Sequence, residues 1–160
     1  MYLTDAARTA PEFVRDHPRF QNVNGAITLP RGTYAFDETI IIPRGTSLTI
    51  APGATLLMGE DASIISYSPV DLRGTENAPI TIKAQDETAP WGAFAIANTD
   101  TESTVTHTTF ENGSEATING VWFSGMLAFH NADSSITNSI FQNVRGCLLY
   151  TSPSPRDQAK

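Results

Sequence analysis

The chain has 160 residues, of which 40% are hydrophobic and 17% charged, and its formal net charge at pH 7 is -7. This composition excludes a disordered chain, and the acidic balance argues against a nucleic-acid partner, which requires clustered Lys and Arg. The single cysteine excludes an internal disulfide and a cysteine-based metal cluster. No apolar run reaches the roughly 18 residues of a membrane span. We therefore expect one globular domain.

The N-terminal segment contains one helical pattern. The stretch "APEFVRDHP" places Pro11 at a first helical position, with Phe13 and Val14 as apolar contacts, and Pro18 ends the pattern. An open edge of stacked strands invites aggregation, so we expect this short amphipathic helix to cap the first strands. Residues 1–25 are predicted to form an N-terminal cap or leader, and they lack the basic start and apolar run of a secretion signal.

Short strand-like runs separated by turn signals fill the chain after this segment. The tetrapeptide Pro-Arg-Gly-Thr occurs at Pro30–Thr33 and at Pro43–Thr46, and a strand-like run follows each copy. Proline lies between these runs and not within them, as hydrogen-bonded strands require. The predicted strands lie near residues 26–29, 33–36, 39–42, 46–50, 54–58, 62–66, 79–84, 92–97, 104–110, 118–123, 126–130 and 135–141.

A repeat with an offset of 31 residues occupies the second half of the chain. The stretch "TVTHTTFEN", which begins at Thr104, aligns with "SITNSIFQN", which begins at Ser135. Farther upstream, "FAIAN" aligns with "LAFHN" at an offset of 33. Recurrence at such an interval indicates stacked repeats. The predicted structural ladder consists of Val105, Phe110, Asn112, Ile136, Phe141 and Asn143.

Repeated short strands are compatible with a β-sandwich or with a wound coil in which each strand lies on its copy one turn later. In a coil, equivalent positions lie about 4.8 Å apart, so like side chains must lie on like. Phe over Phe and Asn over Asn meet that requirement, and a stacked Asn can hydrogen-bond both a turn and the next Asn. A sandwich requires no such identity. We therefore predict an all-β solenoid of roughly four coils with three strands in each.

The pattern apolar-x-[Asn/His]-[Ser/Thr]-x-Phe-x-Asn, which occurs twice, resembles the right-handed parallel β-helix repeat. In that family a strand turns at an Asn and continues through a small inward residue; His107 and Asn138 match the turn, and Thr108 and Ser139 match the small residue. The stretch "IIIPRGTSLTIAPGATLLM" also resembles the opening coils of such domains in bacterial secreted and surface proteins. The resemblance covers residues 26–146 and implies a right-handed, single-stranded parallel β-helix.

The same resemblance implies an extracellular or cell-surface location and a polysaccharide or cell-surface glycan as partner. Because we find no paired active-site carboxylates, Gly-x-Ser-x-Gly elbow or phosphate loop, the preferred function is a non-catalytic surface scaffold or carbohydrate-binding module. The alternative is the N-terminal part of a polysaccharide lyase, epimerase or hydrolase whose catalytic coils are missing. A third option is an accessory region of a larger multi-domain protein.

The last segment, residues 147–160, departs from the repeat. The stretch "CLLYTSPSPRD", Cys147–Asp157, resembles the translation of an adapter used to prepare sequencing libraries, although a natural Ser/Pro-rich linker has a similar composition. We therefore expect a non-native tail in which nothing continues the strand ladder. The natural protein is expected to continue past Gly146, and the uncovered last coil is expected to make this fragment aggregate.

Three residues are candidate ligand-binding residues: Trp122, His130 and Asp133. Trp122 in "GVWFSG" offers a flat apolar face and an N–H donor to a sugar ring, but core filling is the alternative for it and for Trp91. His130 and Asp133 flank "HNAD" and either form a hydrogen-bonded acid–base pair or belong to a turn network. No catalytic residue, metal site or cofactor is predicted, since the acidic residues follow no calcium-repeat pattern.

Overall fold

The computed structural model describes residues 8–145 and 147–152, which are mostly β structure with one short helix. The elements in chain order are α1 Ala10–Asp16, β1 Gln21–Val23, β2 Ala26–Leu29, β3 Thr33–Phe36, β4 Ile40–Ile42, β5 Leu48–Ile50, β6 Thr55–Met58, β7 Ile64–Ser66, β8 Val70–Arg73, β9 Ile80–Ala84, β10 Phe94–Ala97, β11 Ser103–Thr106, β12 Thr108–Glu111, β13 Ala116–Ile118, β14 Val121–Phe123, β15 Gly125–His130, β16 Ser134–Thr137, β17 Ile140–Gln142 and β18 Cys147–Ser152.

Most strands belong to three sheets in which neighbouring strands are parallel. Sheet A has the order β1-β2-β5-β8-β11-β16, sheet B has β3-β6-β9-β12-β17, and sheet C has β4-β7-β10-β15-β18. From β2 onward the chain visits A, B and C in turn, and only the pair β13–β14 interrupts this order. We call one visit to all three sheets a pass. Two pairings are antiparallel, β1 with β2 and β13 with β14, so the β structure is mixed.

The described residues make five passes, one more than the roughly four coils expected. Two strands of these passes, β8 and β18, were not predicted, and the predicted strands 104–110 and 135–141 each correspond to two strands, whereas residues 118–123 lie outside the three sheets. Strand β8, Val-Asp-Leu-Arg, alternates apolar and charged residues, and its Val70 and Leu72 are buried, so the strand signal was present but short. Strand β18 lies in the segment that we expected to end the ladder.

The repeat offsets of 31 and 33 residues are confirmed by the strand register. Phe110 lies directly opposite Phe141, and their rings are stacked with centroids 5.1 Å apart and planes 5° from parallel. Val105 lies opposite Ile136 in sheet A. Phe110 and Val105 are fully buried, whereas Phe141 and Ile136 are only half-buried because their strands, β17 and β16, lie at the ends of their sheets.

The predicted strands 104–110 and 135–141 are each broken in two by a turn residue. His107 and Asn138 have φ values of 45° and 51°, the left-handed region that Asn tolerates better than most residues. This backbone turn ends β11 and β16 and redirects the chain into β12 and β17. Thr108 is buried immediately after the turn, as the repeat pattern predicts for the small inward residue.

Asparagines occupy other turns in the same conformation. Asn98 and Asn131 have φ values of 56° and 52°, and the Nδ2 of Asn131 donates to the Oδ1 of Asn98 at 3.2 Å. Asn112 and Asn143 also have positive φ, at 62° and 54°. The hydrogen bond between Asn131 and Asn98 therefore satisfies side-chain polar groups at the turns that precede sheet A.

The helix covers part of the first pass. Thr9 and Glu12 form a reciprocal capping box, since each side chain accepts a hydrogen bond from the other residue's N–H. Phe13 is buried, and its ring lies 5.2 Å from Phe20, which in turn lies 5.9 Å from Phe36 of β3. These aromatic contacts join the helix to the apolar interior of the stack.

The expectation that nothing continues the ladder past Gly146 is wrong for the described part of this segment. Cys147–Ser152 pair in parallel with β15 at the edge of sheet C. The unpaired backbone groups of an edge strand accept any apolar, β-prone segment, whatever its origin. The laboratory origin of the tail stays a prediction, and residues 153–160 lie outside the described part.

Candidate functional site

A β-hairpin stands outside the stack between β12 and β15. The sequence reading gave one strand over 118–123, which is wrong: β13 and β14 pair antiparallel, with Thr117 opposite Trp122. Asn119 and Gly120 form the turn, and both have positive φ, at 52° and 79°, as a type I′ turn requires. The stretch "TINGVW" carried the signal, because Asn-Gly between apolar residues is the strongest short-range indication of a hairpin.

The hairpin packs one face against the outer surface of sheet C. Ile118 and Phe123 are buried in a second apolar cluster, apart from the main core. Sheet C contributes to this cluster a column of residues in register from strand to strand, Ile41, Ile65, Ala95 and Ala128. Both faces of sheet C are therefore buried in this region, which explains its nearly continuous apolar strands.

Polar contacts hold the hairpin at its tip and at its base. At the tip, the Nδ2 of Asn119 donates to the hydroxyl of Tyr67 at 2.8 Å. At the base, the hydroxyl of Ser114 donates to the carbonyl of Trp91 at 2.8 Å, and Trp91 also forms a parallel bridge with Gly113. The hairpin is thus fixed to two separate passes of the stack.

The two tryptophans differ in environment. Trp91 is fully buried, and its indole N–H donates to the carbonyl of Glu111 at 2.6 Å. Trp122 is 61% exposed, because successive residues of a strand point to opposite faces and its neighbour Phe123 takes the buried face. Core filling, the alternative considered for each, therefore describes Trp91 and does not describe Trp122.

A groove begins beside Trp122. Its first section has a volume of about 470 Å³ and is lined by Asp61, Ser114, Glu115, Ala116, Thr117, Trp122 and Arg145. A second section of about 280 Å³ shares Asp61 and Glu115 with it and extends to Thr39. A third section of about 300 Å³ adds Asp37, Glu38 and Glu60. The three sections share lining residues, and together we call them the hairpin groove.

The hairpin groove follows the turns that lead from sheet B to sheet C. Asp37 and Glu38 follow β3, Glu60 and Asp61 follow β6, and Arg145 follows β17. Backbone hydrogen bonds join such turns from pass to pass, for example from Arg145 N–H to the carbonyl of Gly113 at 3.0 Å. Because neighbouring passes lie about 4.8 Å apart, the groove runs along the stack and suits an extended ligand.

The charge of the groove is strongly acidic. Five exposed carboxylates line it, those of Asp37, Glu38, Glu60, Asp61 and Glu115. Arg145 is the one cation among the lining residues described, and it lies in the section beside Trp122. The section beside Trp122 thus combines an aromatic side chain, one cation and two carboxylates, and the rest of the groove is acidic.

Of the three residues proposed from the sequence, the groove includes only Trp122. The ring of His130 lies 6.3 Å from that of Phe123 and edge-on to it, so His130 adjoins the buried side of β14. The carbonyl of His130 accepts from Asn98 N–H, and that of Asp133 accepts from Ser103 N–H. His130 and Asp133 do not line the hairpin groove, and their ligand-binding role stays a prediction.

The described residues contain no group of three or more His, Cys, Asp or Glu arranged to hold a metal ion. One carboxylate outside the groove has a clear local influence: hydrogen bonds from the N–H and the hydroxyl of Thr88 lower the pKa of Asp86. The donors favour the charged form of this exposed turn residue. These hydrogen bonds stabilise the turn after β9 and do not indicate a catalytic role for Asp86.

Comparison with known proteins finds no match, so we base the functional proposal on the geometry of the site. No protein-family model matches the chain, and no curated protein or solved structure matches it either. Helix α1 is seven residues long, and no helix in the described part of the chain is long and apolar enough to cross a membrane.

Proposed function

We propose that this protein is a non-catalytic surface scaffold and carbohydrate-binding module, built on a right-handed parallel β-helix, whose hairpin groove binds a glycan chain. The observation that carries the proposal is the exposed indole of Trp122 beside a groove that follows the stack. A bacterial extracellular or cell-surface location belongs to the same proposal and derives from the resemblance of the repeat.

The β-helix architecture is supported by the strand order and by the turns. The repeated order A, B, C, the in-register copies and the Asn-rich turns are what a single wound ribbon produces. Connections between parallel strands of one sheet are almost always right-handed, which supports that handedness here. The contacts of Phe13 with Phe20, and of Phe20 with Phe36 of the first pass, support a capping role for the helix.

The exposure of Trp122 supports a ligand surface. Other exposed large apolar residues of the described part, Val23, Ile140 and Leu149, lie on strands at the ends of sheets. Trp122 belongs to a hairpin beside the middle of the stack, so an uncovered end does not account for it. A sugar ring stacked on the indole would remove apolar surface from water, at roughly 25 cal/mol per Å².

Polar groups around Trp122 suit sugar hydroxyls. Thr117 lies opposite Trp122 on the exposed face of the hairpin, and the hydroxyl of Ser114 lines the same section. Asp61 and Glu115 supply acceptors, and the guanidinium of Arg145 supplies donors. An apolar platform with a few convergent polar groups is the usual composition of a small-ligand site.

Binding to a glycan array, followed by calorimetry with a retained oligosaccharide, tests the proposal. We expect Trp122→Ala to weaken binding by at least about tenfold, and Trp122→Phe to keep part of the affinity because a smaller ring remains. Val23→Ala, which removes an exposed apolar side chain away from the groove, is the control and should bind normally. Retention of no glycan, or unchanged binding by Trp122→Ala, would refute the proposal.

A further inference from the structure

We infer that the hairpin groove selects extended chains of neutral or amine-bearing sugars and rejects chains of uronic acids. This inference rests on the proposed function and adds the chemical class of the ligand. It follows from the distribution of charge along the groove and from the direction in which the groove runs.

The carboxylates of the groove oppose an anionic polymer. The carboxylates come from three turns: Asp37 and Glu38 follow β3, Glu60 and Asp61 follow β6, and Glu115 precedes β13. Charges within about 8 Å of one another interact without full screening at physiological salt. A uronate chain laid in the groove would place each carboxylate near one or more of these groups, and the net charge of -7 adds to the repulsion.

The same arrangement attracts an amine-bearing chain. An ammonium group on a sugar would meet carboxylates such as those of Glu60 and Asp61 along the groove, and further sugars would meet the carboxylates of neighbouring passes. Each exposed pair contributes little, so the preference depends on several contacts made at once. Longer chains should therefore bind more tightly than short ones.

The end of the groove beside Trp122 has a different part in recognition. Arg145 and the indole lie in one section with the hydroxyl-bearing residues Ser114 and Thr117. The indole stacks on the apolar face of a sugar ring, and the guanidinium donates to its hydroxyl oxygens. Arg145 can also pair with a carboxylate, but Asp61 and Glu115 in the same section outnumber it. A neutral chain is thus held mainly at this end, and an amine-bearing chain is held along the whole groove.

Calorimetry with three oligosaccharides of equal length tests the inference: a cello-oligosaccharide, an oligomer of glucosamine and an oligogalacturonate. At low salt we expect the glucosamine oligomer to bind about tenfold more tightly than the neutral chain. That advantage should shrink as salt is added, because screening weakens exposed pairs. The oligogalacturonate should show no binding.

Matched charge variants separate the local effect from the net charge. Asp61→Asn/Glu115→Gln removes two of the five groove carboxylates and should clearly reduce the ratio of glucosamine to neutral affinity. Glu76→Gln/Glu87→Gln removes two exposed carboxylates that do not line the groove, and it should keep the ratio. Equal ratios in the two double variants would overturn the inference.

The outcomes distinguish the inference from the proposed function. If the oligogalacturonate binds as tightly as the other chains in a manner that Trp122→Ala abolishes, the charge selection is wrong and the glycan site stands. If none of the three chains binds and the glycan array retains nothing, the proposed function fails and this inference fails with it.

Discussion

The strands of sheets A, B and C and the hairpin β13–β14 differ in what surrounds their side chains. In the stack, a side chain such as Phe110 lies on its counterpart from the next pass, and that contact fixes the residue type. In the hairpin, Trp122 has no counterpart in another pass, and its face is open to solvent. The regular stack is interrupted between β12 and β15 by the hairpin, which leaves the exposed face of Trp122 for the glycan that we propose as ligand.

The largest expected effect is the difference in stability loss between substitutions of the two tryptophans, because Trp91 is buried and Trp122 is exposed on the hairpin. Trp91→Ala should destabilise the protein by about 3–5 kcal/mol, since it empties a buried site and leaves the carbonyl of Glu111 without its donor. Trp122→Ala should change the free energy of unfolding by no more than about 0.5 kcal/mol. Urea denaturation measures both values, and similar losses in the two variants would contradict the separation.

Within the stack, the loss of stability should be smaller for residues on the strand at the end of a sheet than for residues on inner strands. Phe110→Ala is expected to cost about 3–5 kcal/mol, because its ring is fully buried between neighbouring passes. Phe141→Ala should cost clearly less, since Phe141 is half-buried on the last strand of sheet B. Thr109→Ala is the control, an outward residue that should change stability by about 0.5 kcal/mol or less. A greater loss for Phe141→Ala would show that the register is wrong.

In the hairpin, a smaller and local effect is expected at the turn. Gly120→Ala places a Cβ at φ 79°, which costs roughly 1–2 kcal/mol, although no other atom obstructs it. Amide hydrogen exchange should show faster opening of β13 and β14, while β10 and β12 keep their protection. Gly25→Ala, at φ 86° with equally open surroundings, is a matched control that should leave the hairpin unaffected. Loss of protection throughout the stack after Gly120→Ala would mean that the hairpin is integral to the fold.

The smallest expected effect concerns a turn that belongs to neither region. Because the folded-state pKa of Asp86 is lowered, its contribution to stability is present above the unfolded value, about 3.9, and is lost as the pH falls through the folded value. Thr88→Ala should raise the pKa of Asp86, since the hydroxyl donor is removed and the backbone donor remains. A carboxyl titration by NMR measures the change; an unaltered titration midpoint would contradict the assigned cause.

The sequence predicted the stack better than the site, and the reason is physical. Phe110 and Phe141 are identical because they contact each other in neighbouring passes, so the alignment of the repeat already contained the register. The left-handed turns at His107 and Asn138 were expected as turns, but their interruption of the strands was not. The stack therefore followed from comparing the chain with itself.

The hairpin groove had no comparable signal. The sequence pattern predicts a single strand over residues 118–123, although Asn119 and Gly120 mark a reversal. Asp61, Glu115 and Arg145 are far apart in the chain and meet only because the turns of different passes lie side by side. No local motif brings such residues together, so only the three-dimensional arrangement reveals the groove.

Quenching of tryptophan fluorescence by acrylamide, with and without a retained glycan, tests the division between frame and site most directly. The chain contains two tryptophans, of which Trp122 is exposed and Trp91 is buried. We expect acrylamide to quench Trp122 readily and the glycan to protect it, while Trp122→Phe loses both the readily quenched fraction and the protection. Glycan binding that leaves the quenching unchanged, or protection that persists in Trp122→Phe, would contradict the account.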